Sequence, residues 1–133
     1  MHAWGIHSNE DLEVWRLSYQ LSLDIWQDAG RFPRSELYGL TSQLRRCSSS
    51  VPANIAEGTR RLTVGEFRNS LSVASGSNAE TDVFLRMAGD LGLMDPAIVH
   101  ERRTRNERIH RMLTGLILSL GSRPRKRKRR DGS

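Results

Sequence analysis

Cysteine occurs once in these 133 residues, at Cys47. A single thiol cannot close an internal disulfide, so the fold must rest on its apolar core, as suits a reducing cytoplasm. Cys47 sits on an apolar stripe and reads as a buried structural thiol rather than a nucleophile. Long apolar runs are also missing. The greasiest stretch, Met112 to Leu120, is too short and too interrupted to span a bilayer. The start, MHAWGIHSNEDLEVW, has neither a basic leader nor an apolar segment of signal-peptide length. The expectation is a soluble, cytoplasmic protein with no membrane role. Aromatics number three Trp, two Tyr and three Phe. Their positions assign them to the core, which leaves no platform for stacking nucleobases. Repeats and the period-two alternation of strands are absent.

Lysine is confined to the last dozen residues, as Lys126 and Lys128. Seven of the 21 basic residues lie in Arg123 to Arg130, which leaves 14 against 14 acidic residues in 1–121. The body is thus neutral, and the net charge of +6 comes from seven cations less Asp131. The sequence pI of about 10.6 describes an appendage, not a basic surface. The length suits one domain. The division expected is a folded body at 1–121 and a disordered basic tail at 122–133.

Four helices follow from the apolar spacing. The first runs from Ser8 or Asn9 to Ala29, with Leu12, Trp15, Tyr19 and Trp26 in one row and Val14, Leu21 and Ile25 in a second. Both rows read as buried, and Gly30 reads as a left-handed stop. Phe32 and Pro33 connect to a second helix from Leu37 to Thr59. Thr63 and Glu66 form a capping box for the third, whose stripe is Phe67, Leu71, Ala74, Leu85 and Ala88, ending at Leu91 and Gly92. Asn78 and Thr81 interrupt that stripe and predict a polar contact in the core. Ser75, Gly76 and Ser77 are small enough for a close helix approach. Asp95 and Pro96 open the fourth helix, with Ile109, Met112, Leu113, Leu116, Ile117 and Leu120 as its apolar side and Gly121 as its end. Its first half, Glu101 to Arg111, holds five arginines and is expected to project into solvent or meet another subunit. Short connectors favour an all-α, antiparallel up-down four-helix bundle.

The second helix carries the strongest local signal. Leu37, Leu40, Leu44, Cys47, Val51, Ile55 and Gly58 share one face at 100° per residue. Pro52 lies inside that pattern, where it removes the bond to the Ser48 carbonyl and disfavours a plain helix by roughly 3 kcal/mol. The hydroxyls of Ser48, Ser49 and Ser50 are placed to offer substitute bonds, so a kinked helix is expected. The alternative is a break near Ser50 with Pro52 opening a new helix. The strings YGLTSQLRR at Tyr38 to Arg46 and VPANIAEG at Val51 to Gly58 resemble a bacterial family of small four-helix-bundle proteins, first noticed as reading frames in intervening sequences of 23S ribosomal RNA genes. DLEVW at Asp11 to Trp15, FP at Phe32 and Pro33, EF at Glu66 and Phe67 and AxGSxAE at Ala74 to Glu80 extend the likeness to Leu93. The family more often has an apolar residue, usually Leu, where this chain has Thr81. The resemblance implies a homopentamer around a central channel. A remote branch of retroelement accessory variability proteins implies RNA and a reverse transcriptase as partners.

A polar row on the second helix, Gln43, Arg46, Ser50, Asn54 and Glu57, holds the side chains the resemblance singles out. Together with Pro52 it reads as a structural network, with a binding surface as the alternative. No catalytic, cofactor or metal site emerges. His2 and His7 stand in the leader, His100 and His110 lack zinc companions, and Glu80 and Asp82 point to different sides of a helix. The chain reads as a non-enzymatic scaffold that contacts RNA or DNA through phosphates, with a protein-interaction module as the alternative. Phosphate contacts are assigned to Arg45, Arg46, Arg60 and Arg61 and to the tail cations Arg123, Arg125, Lys126, Arg127, Lys128, Arg129 and Arg130. Arg68 and the cluster Arg102, Arg103, Arg105, Arg108 and Arg111 add basic groups, which Glu101 and Glu107 can neutralise.

Overall fold

The computed structural model describes residues 12–121. Both the basic tail and the leader histidines lie outside the described residues. The described chain is all-α, with four helices and no strand: α1 (Glu13–Ala29), α2 (Ser42–Gly58), α3 (Val64–Asp90) and α4 (Pro96–Gly121). A 3-10 turn at Arg34–Glu36 and a wide turn at Leu37–Thr41 connect α1 to α2.

Two helix starts are fixed by the side chains expected to fix them. Thr63 Oγ1 accepts from the Glu66 N–H at 3.1 Å and opens α3, satisfying one donor that the first turn leaves free. Asp95 Oδ1 accepts from the Ala97 N–H at 2.8 Å at the head of α4. Behind α3, Gly92 takes φ +75°, and the Leu93 N–H reaches the Ala88 carbonyl at 2.8 Å. This six-to-one bond needs the left-handed residue that glycine supplies most readily. Gly30 differs from expectation: its φ is −65°, a right-handed value, so α1 ends without a left-handed stop. The second helix also starts later than expected. The backbone leaves helical geometry at Gly39, regular α2 begins at Ser42, and Leu37 is exposed rather than on the core stripe.

From Ser42 to Gly58 the helix runs through Pro52 in one piece, so no second helix starts there. Nor do the neighbouring serines compensate at the carbonyl that proline releases. Ser49 Oγ donates to the Arg45 carbonyl at 2.8 Å and Ser48 Oγ reaches the same oxygen at 3.5 Å. Both bonds lie a turn before the Ser48 carbonyl.

α2 packs on α1 and α3, and α4 packs on α3 and α1. The core takes Leu21 and Ile25 from α1 and Leu44, Val51 and Ile55 from α2. It adds Phe67, Leu71, Ala74, Leu85 and Ala88 from α3 and Ile109 and Leu113 from α4. All five α3 residues are fully buried, each large one stabilising the fold by about 1.5–3 kcal/mol. The end of α2 comes close to α3 at Gly58, where a Cβ would stand 2.8 Å from Ser70 Cβ and 2.9 Å from the Phe67 ring. Gly76, expected to admit a neighbouring helix, has nothing within 4 Å of its would-be Cβ.

The polar interruption of α3 forms a contact in the core. Asn78 Nδ2 donates to Asn106 Oδ1 at 2.8 Å, and Asn106 Nδ2 donates to the Asn78 carbonyl at 2.9 Å. Both side chains are buried. Thr81 is also buried and donates to the Ser77 carbonyl at 2.8 Å. Asn78→Leu is expected to destabilise the protein by about 1–3 kcal/mol, because it leaves the buried Asn106 Oδ1 without its donor while the Asn106 Nδ2 bond to the residue 78 carbonyl survives. Asn78→Leu with Asn106→Leu should lose less than the sum of the single changes. Urea unfolding of the four proteins in a double-mutant cycle measures the difference.

Candidate functional site

The polar row of α2 folds into three local knots against α3. Near the N-terminal end, Arg46 Nη2 donates to Gln43 Oε1 at 2.8 Å and to Glu80 Oε2 at 3.1 Å. At mid-helix, Asn54 Nδ2 donates to the Ser50 carbonyl at 2.8 Å and to Ser50 Oγ at 2.9 Å, while Ser77 Oγ donates to that hydroxyl at 2.9 Å. Near the C-terminal end, Ser70 Oγ donates to Glu57 Oε1 at 2.9 Å, and Glu57 pairs with Arg61. The bonds of all three knots lie within α2, across its seam with α3 or, for Arg61, just past its end. Pro52 is not part of this row. It is buried on the opposite side of α2, towards α1.

That opposite side is a groove of about 430 Å³ between α1 and α2, lined by Trp15, Tyr19, Leu23 and Trp26 above Pro52 and Ala53. Here the structure corrects the expected burial of the first α1 row. Val14, Leu21 and Ile25 fill the core, whereas Tyr19 and Trp26 remain 47% and 43% exposed. The Trp15 and Tyr19 rings stack with centroids 5.1 Å apart. Arg45 lies over the Trp26 ring at 4.7 Å and donates Nη2 to the Trp26 carbonyl at 3.0 Å. Trp26 Nε1 returns a bond to the Arg45 carbonyl at 3.2 Å. Tyr38 is almost wholly exposed, so the aromatic residues are not all committed to the core.

The first half of α4 is held against the body rather than projected from it. Arg102 makes a two-pronged pair with the buried Asp28 of α1, Nε to Oδ2 at 2.6 Å and Nη2 to Oδ1 at 3.1 Å. Arg103 bonds Asp82 of α3 at 2.8 Å, and Arg105 bonds Asp24 of α1 at 2.8 Å. Arg108 and Arg111 pair with Glu13 and Glu107. The five arginines are therefore structural counter-ions to α1, α3 and their own helix. The hydrogen bond to Asp28 raises the Arg102 pKa above its ordinary value, so this cation stays charged throughout the accessible pH range.

Cys47 is fully buried. Burial pushes its thiol above the ordinary 9.0, partly offset by a hydrogen bond with Thr81. A neutral thiol there is a poor nucleophile. Among the described residues, no three His, Cys, Asp or Glu side chains converge to hold a metal ion. No described helix is long and apolar enough to cross a membrane.

A family model described as "23S rRNA-intervening sequence protein" matches residues 10–115. The chain belongs to this family. A crystal structure from Bacteroides thetaiotaomicron, of a protein of unknown function in the S23 ribosomal protein family, shares the fold with a TM-score of 0.71 at 19% identity. The match covers 78% of this chain and 97% of that one. No curated protein matches this chain significantly.

In this 23S rRNA-intervening sequence protein the four body arginines assigned to phosphate do not form one patch. Arg45 is tied into the α1–α2 seam, and Arg46 into the Gln43–Glu80 knot. Arg61 pairs with Glu57, and Arg60 makes no ion pair among the described residues. Most of α2 separates the two pairs, about 20 Å from Arg45 to Gly58 at 1.5 Å per residue. The seven tail cations lie outside the described residues. The aromatic groove escaped sequence reasoning, although two apolar rows on one helix are more than a single packing contact needs.

Two measurements check the site as described. Arg102→Met is expected to lower stability by up to about 3 kcal/mol, since it leaves the buried Asp28 carboxylate with only the longer contact to the exposed Arg31 at 3.6 Å. Asp28→Asn with Arg102→Met should restore part of the loss in urea titrations. Because the folded pKa of Cys47 is raised, its contribution is complete below about pH 9 and is lost as pH rises through the folded value. The stability gap between the parent and Cys47→Ala should narrow above that pH in parallel urea series.

Proposed function

We propose that this chain is a non-enzymatic, cytoplasmic scaffold whose protomer is an antiparallel up-down four-helix bundle, and that it contacts RNA or another nucleic acid through phosphates. Membership of the 23S rRNA-intervening sequence family carries the reading. Its charge layout supports it. The body arginines of α4 pair with carboxylates, whereas Arg34, Arg60, Arg68 and Arg86 make no ion pair among the described residues, so the cations left for an external polyanion are these scattered four and the clustered seven of Arg123 to Arg130. Phosphate contact of this kind gives affinity without sequence preference, by counterion release. By resemblance the scaffold is a homopentamer, and a nucleic-acid enzyme such as a reverse transcriptase is a candidate partner. Five copies of net +6 would carry about +30, a strong field at low salt. The exposed aromatic groove favours a second reading, a protein-interaction module with no nucleic-acid role.

Titrating a single-stranded RNA at several salt concentrations separates the two. With all seven tail cations engaged per protomer, log affinity should fall with log salt at a slope near −5, about −0.7 per neutralised phosphate. Deleting Ser122 to Ser133 should abolish most of that slope. A shallow slope for the full chain, or unchanged binding by the truncation, rejects the phosphate reading.

A further inference from the structure

Two apolar faces have no partner among the described residues, and they differ in shape. One is the α1–α2 groove, concave and aromatic, with Tyr19, Leu23 and Trp26 at 47%, 42% and 43% exposure. The other lies on α3. Val73, Gly76, Glu80, Val83 and Met87 recur at steps of three and four, a stripe pointing away from the buried row Phe67 to Ala88. Val73, Val83 and Met87 are 48%, 53% and 42% exposed. Gly76 presents bare backbone with nothing within 4 Å of a would-be Cβ. Because α1 and α3 each pack on α2 and α4, the two faces look out on opposite sides.

We infer that the α3 ridge of one copy of this chain seats in the α1–α2 aromatic groove of the next. The ridge is convex and narrow at Gly76, which lets an indole or phenol ring lie flat against the helix. The groove supplies Trp and Tyr, the side chains that most often anchor protein interfaces. Charge fits as well: Arg45 lies over Trp26 at the edge of the groove and no described carboxylate lines it, while Glu80 on the ridge, though bonded to Arg46 at 3.1 Å, keeps 47% of its side chain exposed to a second cation. A groove meeting a different surface is a heterologous contact. With the surfaces on opposite sides, each copy can offer its ridge onward, and a suitable rotation closes a ring. This rests on the oligomeric part of the function proposed above and names its surfaces. Phosphate binding by the tail is independent of it.

The test mixes two variants, each broken on one surface. Tyr19→Arg damages the groove and leaves the ridge intact; Val83→Arg does the reverse. Masses are measured by light scattering at high salt and high protein concentration, without nucleic acid. Circular dichroism confirms that each variant keeps its helix content, and Leu23→Glu and Met87→Glu serve as second variants. The parent should be a multimer, and each variant alone should run at protomer mass. An equimolar mixture of Tyr19→Arg and Val83→Arg should give a one-to-one dimer, since one intact groove meets one intact ridge. A multimeric parent whose mass survives Val83→Arg overturns the ridge assignment and leaves the oligomer standing, as does a mixture that stays at protomer mass. A parent at protomer mass overturns both. In that case, RNA quenching of tryptophan fluorescence in the parent but not in Trp26→Leu would make the groove a base-stacking surface instead.

Discussion

The inner stripe of α3 is the surface against which α2 and α4 both pack. Phe67, Leu71, Ala74, Leu85 and Ala88 are all withdrawn from water, and Gly58 lets the end of α2 come down onto Phe67 and Ser70. That closeness lets the polar row of α2, which stays half-buried to exposed, bond across the seam to α3. At such separations, side chains as short as serine bridge the helices, as Ser77 does to Ser50 and Ser70 does to Glu57. Where such polar groups are withdrawn from water, they are stable only when they satisfy one another. The Asn78–Asn106 pair follows this rule in the core. It also sets the register of α4 on α3, since a shift of either helix would leave amides unpaired.

Electrostatics follows from the packing. Arg102 and Arg105 reach α1, and Arg103 reaches α3, so the two flanks of α4 tie both neighbours to it through carboxylates. The pairs with Asp28 and Asp24 are the more sheltered and the Arg103–Asp82 pair is nearer water, where such contacts contribute less. What looked in the sequence like a basic cluster is neutralised where it stands. The cations left for a polyanion then lie mostly after α4 in the chain. The aromatic groove is a separate matter. Its rings are held by stacking and by Arg45, so the surface is shaped before any partner arrives, which reduces the ordering cost of binding.

Much of the architecture was legible because the signals are local. Thr63, Asp95 and Gly92 mark helix boundaries through bonds that span a few residues, and the α3 stripe follows from a period that any core-facing helix must show. The failures share one cause. Leu37 and the row containing Tyr19 and Trp26 have the spacing of buried residues, and spacing cannot say which of two apolar faces the neighbours will cover. The α4 arginines gave the same difficulty: their acidic partners Asp24, Asp28 and Asp82 stand 21 to 81 positions away. The serines beside Pro52 bonded carbonyls other than the expected one, because hydroxyls on a helix turn back by three or four residues.

By itself, then, the order of residues determined four amphipathic helices, most of their termini, the core of α3 and the separation of a neutral body from a run of cations. Those properties depend on neighbours within a turn or two. Tertiary structure alone decided which row of α1 is hidden, which carboxylates claim the arginines, and that Asn78 meets Asn106. Each of these depends on distances between helices, which chain order does not contain.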